Sequence, residues 1–413
     1  MKAEIITIGD ELLIGQVVDS NSAWMSQQLN GHGFQVVRKT TTGDDEDAII
    51  AAIEAARSTV PLVLVTGGLG PTRDDITLRT LCRYFGAQLH FSEEVYTDME
   101  RLFRQRGRVM NELTRLQAMV PDECTVIRNQ AGTAPCTWFE RDGSVLVSMP
   151  GVPSEMKWLM THEVLPRLAQ RFHRDLHILH HTCLVRDYSE SELALHLSGF
   201  EDRLPSLVKL AYLPQAGIIR LRLSAYGTDG KEATAAIALC RAQLESLLEG
   251  HLLAVEDQGT EVLLGDCLRA RRCTVGTAES CTGGSIAALL TSVAGSSDYF
   301  AGSVVAYANA VKRQVLGVSE HDLQQHGAVS REVVEQMARG ALHVLGCDYA
   351  VATSGIAGPG GGTPEKPVGT IWVAVADKDA VVSACYRFGT VREQNVQRTV
   401  QTALLMLLDR VRK

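Results

Sequence analysis

The chain has 413 residues, 45% hydrophobic and 21% charged, a balance that fits globular domains and excludes general disorder. At roughly 150 residues per domain, the length suggests about three domains. A net charge of −8 argues against a protein that wraps nucleic acid, which needs a basic footprint.

In chain order, residues 4–8 read as a strand, 22–30 as a helix capped by Asn21 or Ser20, and 34–38 as a strand. Residues 45–57 read as a helix and 61–66 as a buried strand; a further helix is expected to open near Asp74. Residues 145–149 form another strand, ended by Pro150-Gly151-Val152-Pro153. Strands alternating with helices, and built of short apolar runs, predict a parallel sheet covered on both faces. From about 171 to 254 the pattern changes to a small α+β insert, with strands at 177–185 and 218–225 and helices at 190–197 and 233–248. A polar stretch at 256–260 precedes a second α/β unit. That unit reads as a helix at 261–271, a strand at 274–278, a helix from about Gly283, strands near 349–354 and 370–376, and a helix at 393–411. The expected fold class is α/β, with two three-layer α/β domains of mainly parallel sheets at 1–170 and 255–413. A small α+β domain at 171–254 joins them.

No apolar run approaches the ~18–20 residues of a membrane span. The N-terminus opens directly as a strand, without a charged and apolar leader. The ten cysteines include no CxxC pair. Reduced thiols in a cytoplasmic protein are therefore expected.

Three loops at strand ends carry the first chemical signal. Gly67-Gly68-Leu69-Gly70-Pro71-Thr72-Arg73-Asp74-Asp75 follows a buried strand and opens a helix. Gly9-Asp10-Glu11-Leu12-Leu13-Ile14-Gly15 leads to Asp19-Ser20-Asn21, and Pro150-Gly151-Val152-Pro153-Ser154-Glu155-Met156 is the third. In an open parallel sheet, ligands bind outside the carboxyl ends of the strands. Glycines let the backbone approach a ligand, and helix N-terminal amides favour phosphate. Adjacent carboxylates suit a hard divalent cation; the plainer reading is a tight turn with Asp74 or Asp75 as a cap. Neither a Walker A loop nor GxGxxG is present. GDELLIGQVVDSNS, GGLGPTRDD, NQAGTAP and MPGVPSEM, in this order, resemble the amino-terminal domain of the CinA family, itself similar to molybdopterin-binding proteins. The resemblance implies an ADP-ribose pyrophosphatase that uses a divalent metal ion. It places Asp19, Asn21, Gly68, Gly70 and Thr72 in the pocket, with Asp74 and Asp75 on the metal.

The second signal is Ala278-Glu279-Ser280-Cys281-Thr282-Gly283-Gly284, where a strand ends in small polar residues and a helix opens. Ser280 would sit near helix amides able to stabilise an oxyanion; the plainer reading is a capping serine. A serine nucleophile needs a base, and Lys312 lies downstream in Ala306-Tyr307-Ala308-Asn309-Ala310-Val311-Lys312. A free lysine, with a pKa of about 10.4, is roughly three units too basic, and holding it neutral costs about 4 kcal/mol. Desolvation can cover that shift. A third piece, Ser354-Gly355-Ile356-Ala357-Gly358-Pro359-Gly360-Gly361-Gly362, suits a phosphate or ribose.

AESCTGG, AYANAVK, HGAVS, SGIAGPGGG and KPVGT together resemble the CinA carboxy-terminal domain, which is similar to nicotinamide mononucleotide deamidase. That resemblance implies Ser280 as nucleophile, Lys312 as base and Tyr307 in support, with no cofactor. It implies Thr282, Gly283, Gly284, Gly355, Ala357, Gly358 and Arg392 around the substrate. The expected partners are the small nucleotides nicotinamide mononucleotide and ADP-ribose. A homodimer is implied by the family, and neither membrane nor nucleic acid is expected. The alternatives are a deamidase with a non-catalytic first domain, or a nucleic-acid-associated competence protein.

The middle segment resembles a KH module in that family, and Gly227-Thr228-Asp229-Gly230 reads GxxG. Its aspartate would repel phosphate, and residues 171–254 hold nine Lys/Arg against ten Asp/Glu. A spacer or dimerisation role fits better. His173, His177, His180 and His181 cluster, but without HExxH a strand-borne group is favoured over a metal site.

Overall fold

The first 150 residues supply eight strands: β1 (Lys2–Ile8), β2 (Gln35–Thr42), β3 (Leu62–Thr66), β4 (Leu89–Phe91), β5 (Met119–Pro121), β6 (Thr125–Ile127), β7 (Cys136–Arg141) and β8 (Ser144–Met149). Six form one sheet in the order β2-β1-β3-β8-β7-β6, and β4 and β5 pair separately. The four strands β2, β1, β3 and β8 run parallel, while β7 and β6 add antiparallel. The computed structural model describes residues 1–172 and 176–413.

Consecutive side chains on a strand point to opposite faces. Ile5, Leu62, Leu64, Val145 and Val147 accordingly join one core, with Met25 and Leu29 of the helix Ser20–Gly31 and Met156 of the helix Pro153–Leu159. Their neighbours Ile6, Val63, Val65 and Leu146 join the other, with Ile49, Ile53 and Ala56 of Glu46–Arg57 and Leu81 and Phe85 of Thr77–Phe85. Helices thus cover both faces and the domain has three layers.

Two helix starts differ from expectation. The helix at 20–31 is capped by Asp19, whose side chain accepts from the Ser22 amide, which frees Asn21 to reach a neighbouring loop. The helix expected near Asp74 begins at Thr77, because Asp75 is held in the preceding loop.

The middle segment gives β9 (His177–Val185), β10 (Val208–Gln215), β11 (Ile218–Gly227) and β12 (Leu252–Ala254), in the sheet order β10-β11-β9-β12. The helix Glu190–Glu201 opens with a capping box of Ser189 and Glu192. The GxxG turn is a helix start: the Asp229 carboxylate accepts from the Lys231 amide at 2.8 Å and the Glu232 amide at 3.3 Å. His173 lies outside the described residues. His180 and His181 are adjacent on β9 and so face opposite ways. His180 Nδ1 lies 2.8 Å from Ser224 Oγ, and burial pushes the His181 pKa down. Among the described residues no group of three or more His, Cys, Asp or Glu is arranged to hold a metal ion.

The last sheet comprises β13 (Val275–Glu279), β14 (Phe300–Val305), β15 (Tyr349–Gly355), β16 (Thr370–Asp377) and β17 (Val381–Arg387), in the order β14-β13-β15-β16-β17. Only β14, β13 and β15 run parallel; β16 and β17 add antiparallel, so this sheet is more mixed than expected. One face carries Val275, Val351, Ile371, Val373 and Val375 against Leu264 and Leu268 of Thr260–Arg271 and Leu404 and Leu407 of Arg392–Arg412. The other carries Ala278, Ala350, Ala352, Ala374 and Ala376, and their small size lets Arg331–Leu345 sit close through Val334, Met337 and Ala341.

By its internal contacts the chain divides into two compact units: residues 1–180 with 205–209 and 224–239, and residues 181–204 with 210–223 and 240–413. All ten cysteines are free thiols, and no described helix is long and apolar enough to cross a membrane.

Candidate functional site

Strands β1, β3 and β8 end side by side, and their three following loops line one cavity of about 460 Å³. That volume lies within the roughly 300–1,000 Å³ of small-molecule sites. Asp19, Asn21, Gly68 and Gly70 line it, as the sequence suggested. Asn21 Nδ2 donates to Gly151 O at 2.7 Å, and Thr66 Oγ1 donates to Pro150 O at 2.9 Å, so two loops are tied together. Gly67 has φ 113°, and a Cβ there would lie 2.1 Å from Ile8 O, so only glycine fits this crossing.

The carboxylates behave differently from expectation. Asp75 accepts from the Gly70 amide (2.8 Å), the Thr72 amide (2.9 Å) and the Thr72 hydroxyl. It therefore shapes the loop and does not offer an open pair of oxygens. Thr72 lines a neighbouring apolar cavity, not the main one. Asp74 lines the main cavity. Asp10 and Asp44 each accept from the other's backbone amide, at 3.2 and 3.0 Å. Burial, and then the charges of Asp10, Glu11 and Asp74, push the Asp44 carboxyl up. The donor set thus does not fit a preassembled metal centre on Asp74 and Asp75: one carboxylate is consumed by its own loop.

Two further residues were missed. Asn129 folds the NQAGTAP loop, its Oδ1 accepting from the Ala131 and Gly132 amides and its Nδ2 donating to Ala134 O and Glu155 Oε2. Glu155 lines the cavity, and burial raises its carboxyl. The asparagine opening a glycine loop was the available signal.

In the second unit, Ser280 follows the end of β13 and its amide donates to Thr353 O of β15 at 3.0 Å. Gly283 and Gly284 turn the chain at φ 62° and 98° into the helix Ser285–Thr291. Glu279, fully buried, caps that helix. Its Oε2 accepts from the Gly284 (2.9 Å) and Ile286 (3.0 Å) amides, and its Oε1 from the Ala287 amide (2.8 Å) and the Thr277 hydroxyl (3.2 Å). An anion here satisfies the positive helix end. Glu279 has no role in the reading of the sequence, because a strand-end acid reads as exposed until the strand is known to be central.

The cap decides which amides after Ser280 stay free to meet an oxyanion. The Gly284 amide is spent on Glu279, and that of Gly283 on Ser280 O. Cys281 and Thr282 are both buried, and among the described residues their amides donate to no other residue. Thr282 is fixed by its hydroxyl, 2.8 Å from that of Thr353.

Lys312, on the helix Asn309–Gln314, is only 1% exposed. Its Nζ lies 3.0 Å from Ser280 Oγ, 2.7 Å from Ala306 O and 3.2 Å from Tyr307 O. Burial lowers its pKa, with a smaller opposing effect from Cys281. A neutral amine has two N–H groups and one lone pair. In that neutral form the two carbonyls, which can only accept, take the two N–H groups and leave the lone pair facing the serine hydroxyl. The arrangement can therefore draw the proton from Ser280.

Tyr307 is 62% exposed; its hydroxyl accepts from Arg392 Nη2 at 3.4 Å, while its carbonyl meets Lys312. Arg392 Nη1 also donates to Gly358 O at 2.8 Å, joining the tyrosine to the glycine-rich loop. Asn395, buried and not anticipated, donates to Ala357 O (3.0 Å) and Gly389 O (2.9 Å) and fixes the same loop. A Cβ on Gly355 would lie 2.2 Å from Ile371 Cδ1, so that position is set by packing.

Residues 4–170 match the family model described as "Probable molybdopterin binding domain", and residues 257–411 match "CinA C-terminal domain". A CinA-like protein of Cytophaga hutchinsonii is 43% identical over all of this chain and 97% of its own length. One of Flavobacterium psychrophilum is 40% identical over all of this chain and 99% of its own. The crystal structure of the competence/damage inducible protein CihA from Agrobacterium tumefaciens is 41% identical, covering 38% of this chain and 98% of that one, with a TM-score of 0.36.

Proposed function

Since the chain belongs to the CinA family, we propose that its carboxy-terminal part hydrolyses the amide of nicotinamide mononucleotide, giving nicotinate mononucleotide and ammonia. The observation that carries this reading is the buried Lys312 amine, 3.0 Å from Ser280 Oγ with two carbonyls on its other sides. Lys312 takes the Ser280 proton as Oγ bonds to the carboxamide carbon. The oxyanion that forms is met by the Cys281 and Thr282 amides; one such donor is typically worth about 3 kcal/mol. Lys312 then returns the proton to the amide nitrogen, the C–N bond breaks and ammonia leaves. Water hydrolyses the resulting ester and restores Ser280. Arg392 and the loop at 355–358 are the proposed phosphate and ribose side of the site.

The test is ammonia release from nicotinamide mononucleotide with a chelator present. Wild type is expected to release it and Ser280→Ala to lose it; full activity in the variant would refute the assignment.

For the first domain the proposed ligand is a nucleotide pyrophosphate such as ADP-ribose. The support is the glycine-lined cavity of about 460 Å³ at three strand ends. Binding of ADP-ribose by calorimetry, and its cleavage with and without added divalent ion, separate a pyrophosphatase from a binding module. A cytoplasmic homodimer acting on these small nucleotides completes the proposal.

A further inference from the structure

Thr353 belongs to the central strand β15, yet it holds the turn after β13 in two places. It lies opposite Glu279 of β13 on one side and Val373 of β16 on the other, fully buried in the sheet. Its carbonyl accepts from the Ser280 amide at 3.0 Å. Its hydroxyl lies 2.8 Å from that of Thr282. These two anchors bracket the peptide units that carry the Cys281 and Thr282 amides. A peptide unit is rigid and planar, so pinning both ends of that short stretch sets where its N–H groups point.

A threonine beside a helix start ordinarily turns its hydroxyl onto nearby backbone. Thr282 lies just before the helix Ser285–Thr291, and its carbonyl already accepts from the Ser285 amide (3.1 Å) and hydroxyl (2.6 Å). The bond to Thr353 commits the Thr282 hydroxyl to the sheet instead. We infer that Thr353 is a positioning residue for the amide hydrolysis: through Thr282 it aims the two N–H groups that meet the oxyanion. This rests on the reading of the carboxy-terminal part as a serine amidase and adds what holds its oxyanion donors in place. Without the Thr353 hydroxyl, that of Thr282 is buried and unpaired, and it is expected to turn back onto its own loop. A misplacement of about 1 Å in such a site can cost about a hundredfold in rate.

The experiment compares Thr353→Val, which keeps the shape and loses the hydroxyl, with Thr353→Ser, which keeps the hydroxyl and loses a methyl. Ammonia release from nicotinamide mononucleotide and thermal midpoints are measured on the full chain. Thr353→Val is expected to lower kcat about tenfold to a hundredfold with KM nearly unchanged, and Thr353→Ser to stay near wild type whatever its midpoint. Thr282→Val breaks the same bond from the other side, and the double valine variant is expected to lose no more than Thr282→Val alone. Wild-type kcat in Thr353→Val, an equal fall in Thr353→Ser, or losses that multiply in the double variant each overturn the role while leaving Ser280 and Lys312 their assignment. If wild type releases no ammonia, the reading of the carboxy-terminal part fails and the role with it.

Discussion

At the residue scale, two buried ionisable groups, Glu279 and Lys312, behave oppositely. Glu279 keeps its carboxylate satisfied with three backbone amides and the Thr277 hydroxyl, whereas Lys312 is deprived of any acid and meets only carbonyls and a hydroxyl. Glu279→Gln replaces one acceptor oxygen with an amide that cannot accept from the helix. It is expected to cost about 1–3 kcal/mol in a denaturant titration. It is also expected to lower kcat more than it changes KM, because the turn holding Ser280 loosens. For Lys312, burial holds the ammonium below its ordinary 10.5. A base must be neutral, so the rate is expected to rise with pH, with a midpoint below 10.5, in a kcat/KM profile. The unfolded chain keeps that proton up to 10.5 while the folded chain releases it earlier, so stability climbs as pH rises between the two values. Lys312→Met is expected to remove that slope from denaturation midpoints measured across the same range.

At the element scale, both sites are made where parallel strands end, and the crossings there admit no bulk. Gly67→Ala would force a Cβ to 2.1 Å from Ile8 O at φ 113°. The expected cost is on the order of 1–3 kcal/mol by urea denaturation, with ADP-ribose binding weakened at the same time. Much of this level was legible in the sequence. Apolar strands alternating with capped helices gave β1, β3, β8, β13, β15 and β16 nearly to their ends, because a strand buried on both faces is a short continuous apolar run. The edge strands β14 and β17 were not foreseen: their half-exposed residues carry no continuous apolar run. The helix Arg331–Leu345 was missed as well, since it packs on an alanine face whose need for a partner shows only once the sheet is built. Within the sites, Ser280 and Lys312 were readable through the family resemblance that their motifs carry. Glu279, Asn129 and Asn395 were not, because each acts through backbone amides or carbonyls supplied by distant loops. Tyr307 contributes its carbonyl to Lys312 and its hydroxyl to Arg392, contacts that only the fold brings together.

At the scale of the whole molecule, the net charge of −8 and the near balance of the middle segment argue against a long polyanion as ligand. Small anionic nucleotides can be held by local amides and a few arginines, whereas a long polyanion would need an extended basic surface. Fluorescence anisotropy with single-stranded oligonucleotides is expected to show only weak binding. A tight complex with a steep salt dependence would favour the competence-protein reading. Each site draws its residues from one unit, so Ser280→Ala is expected to leave ADP-ribose binding unchanged.

The most direct measurement is acid quenching of wild type during turnover of nicotinamide mononucleotide, followed by peptide mass analysis. The expected result is an ester of nicotinate mononucleotide on Ser280, absent when Lys312 is replaced by methionine. An unmodified Ser280 during full turnover, together with undiminished ammonia release by Ser280→Ala, would contradict it.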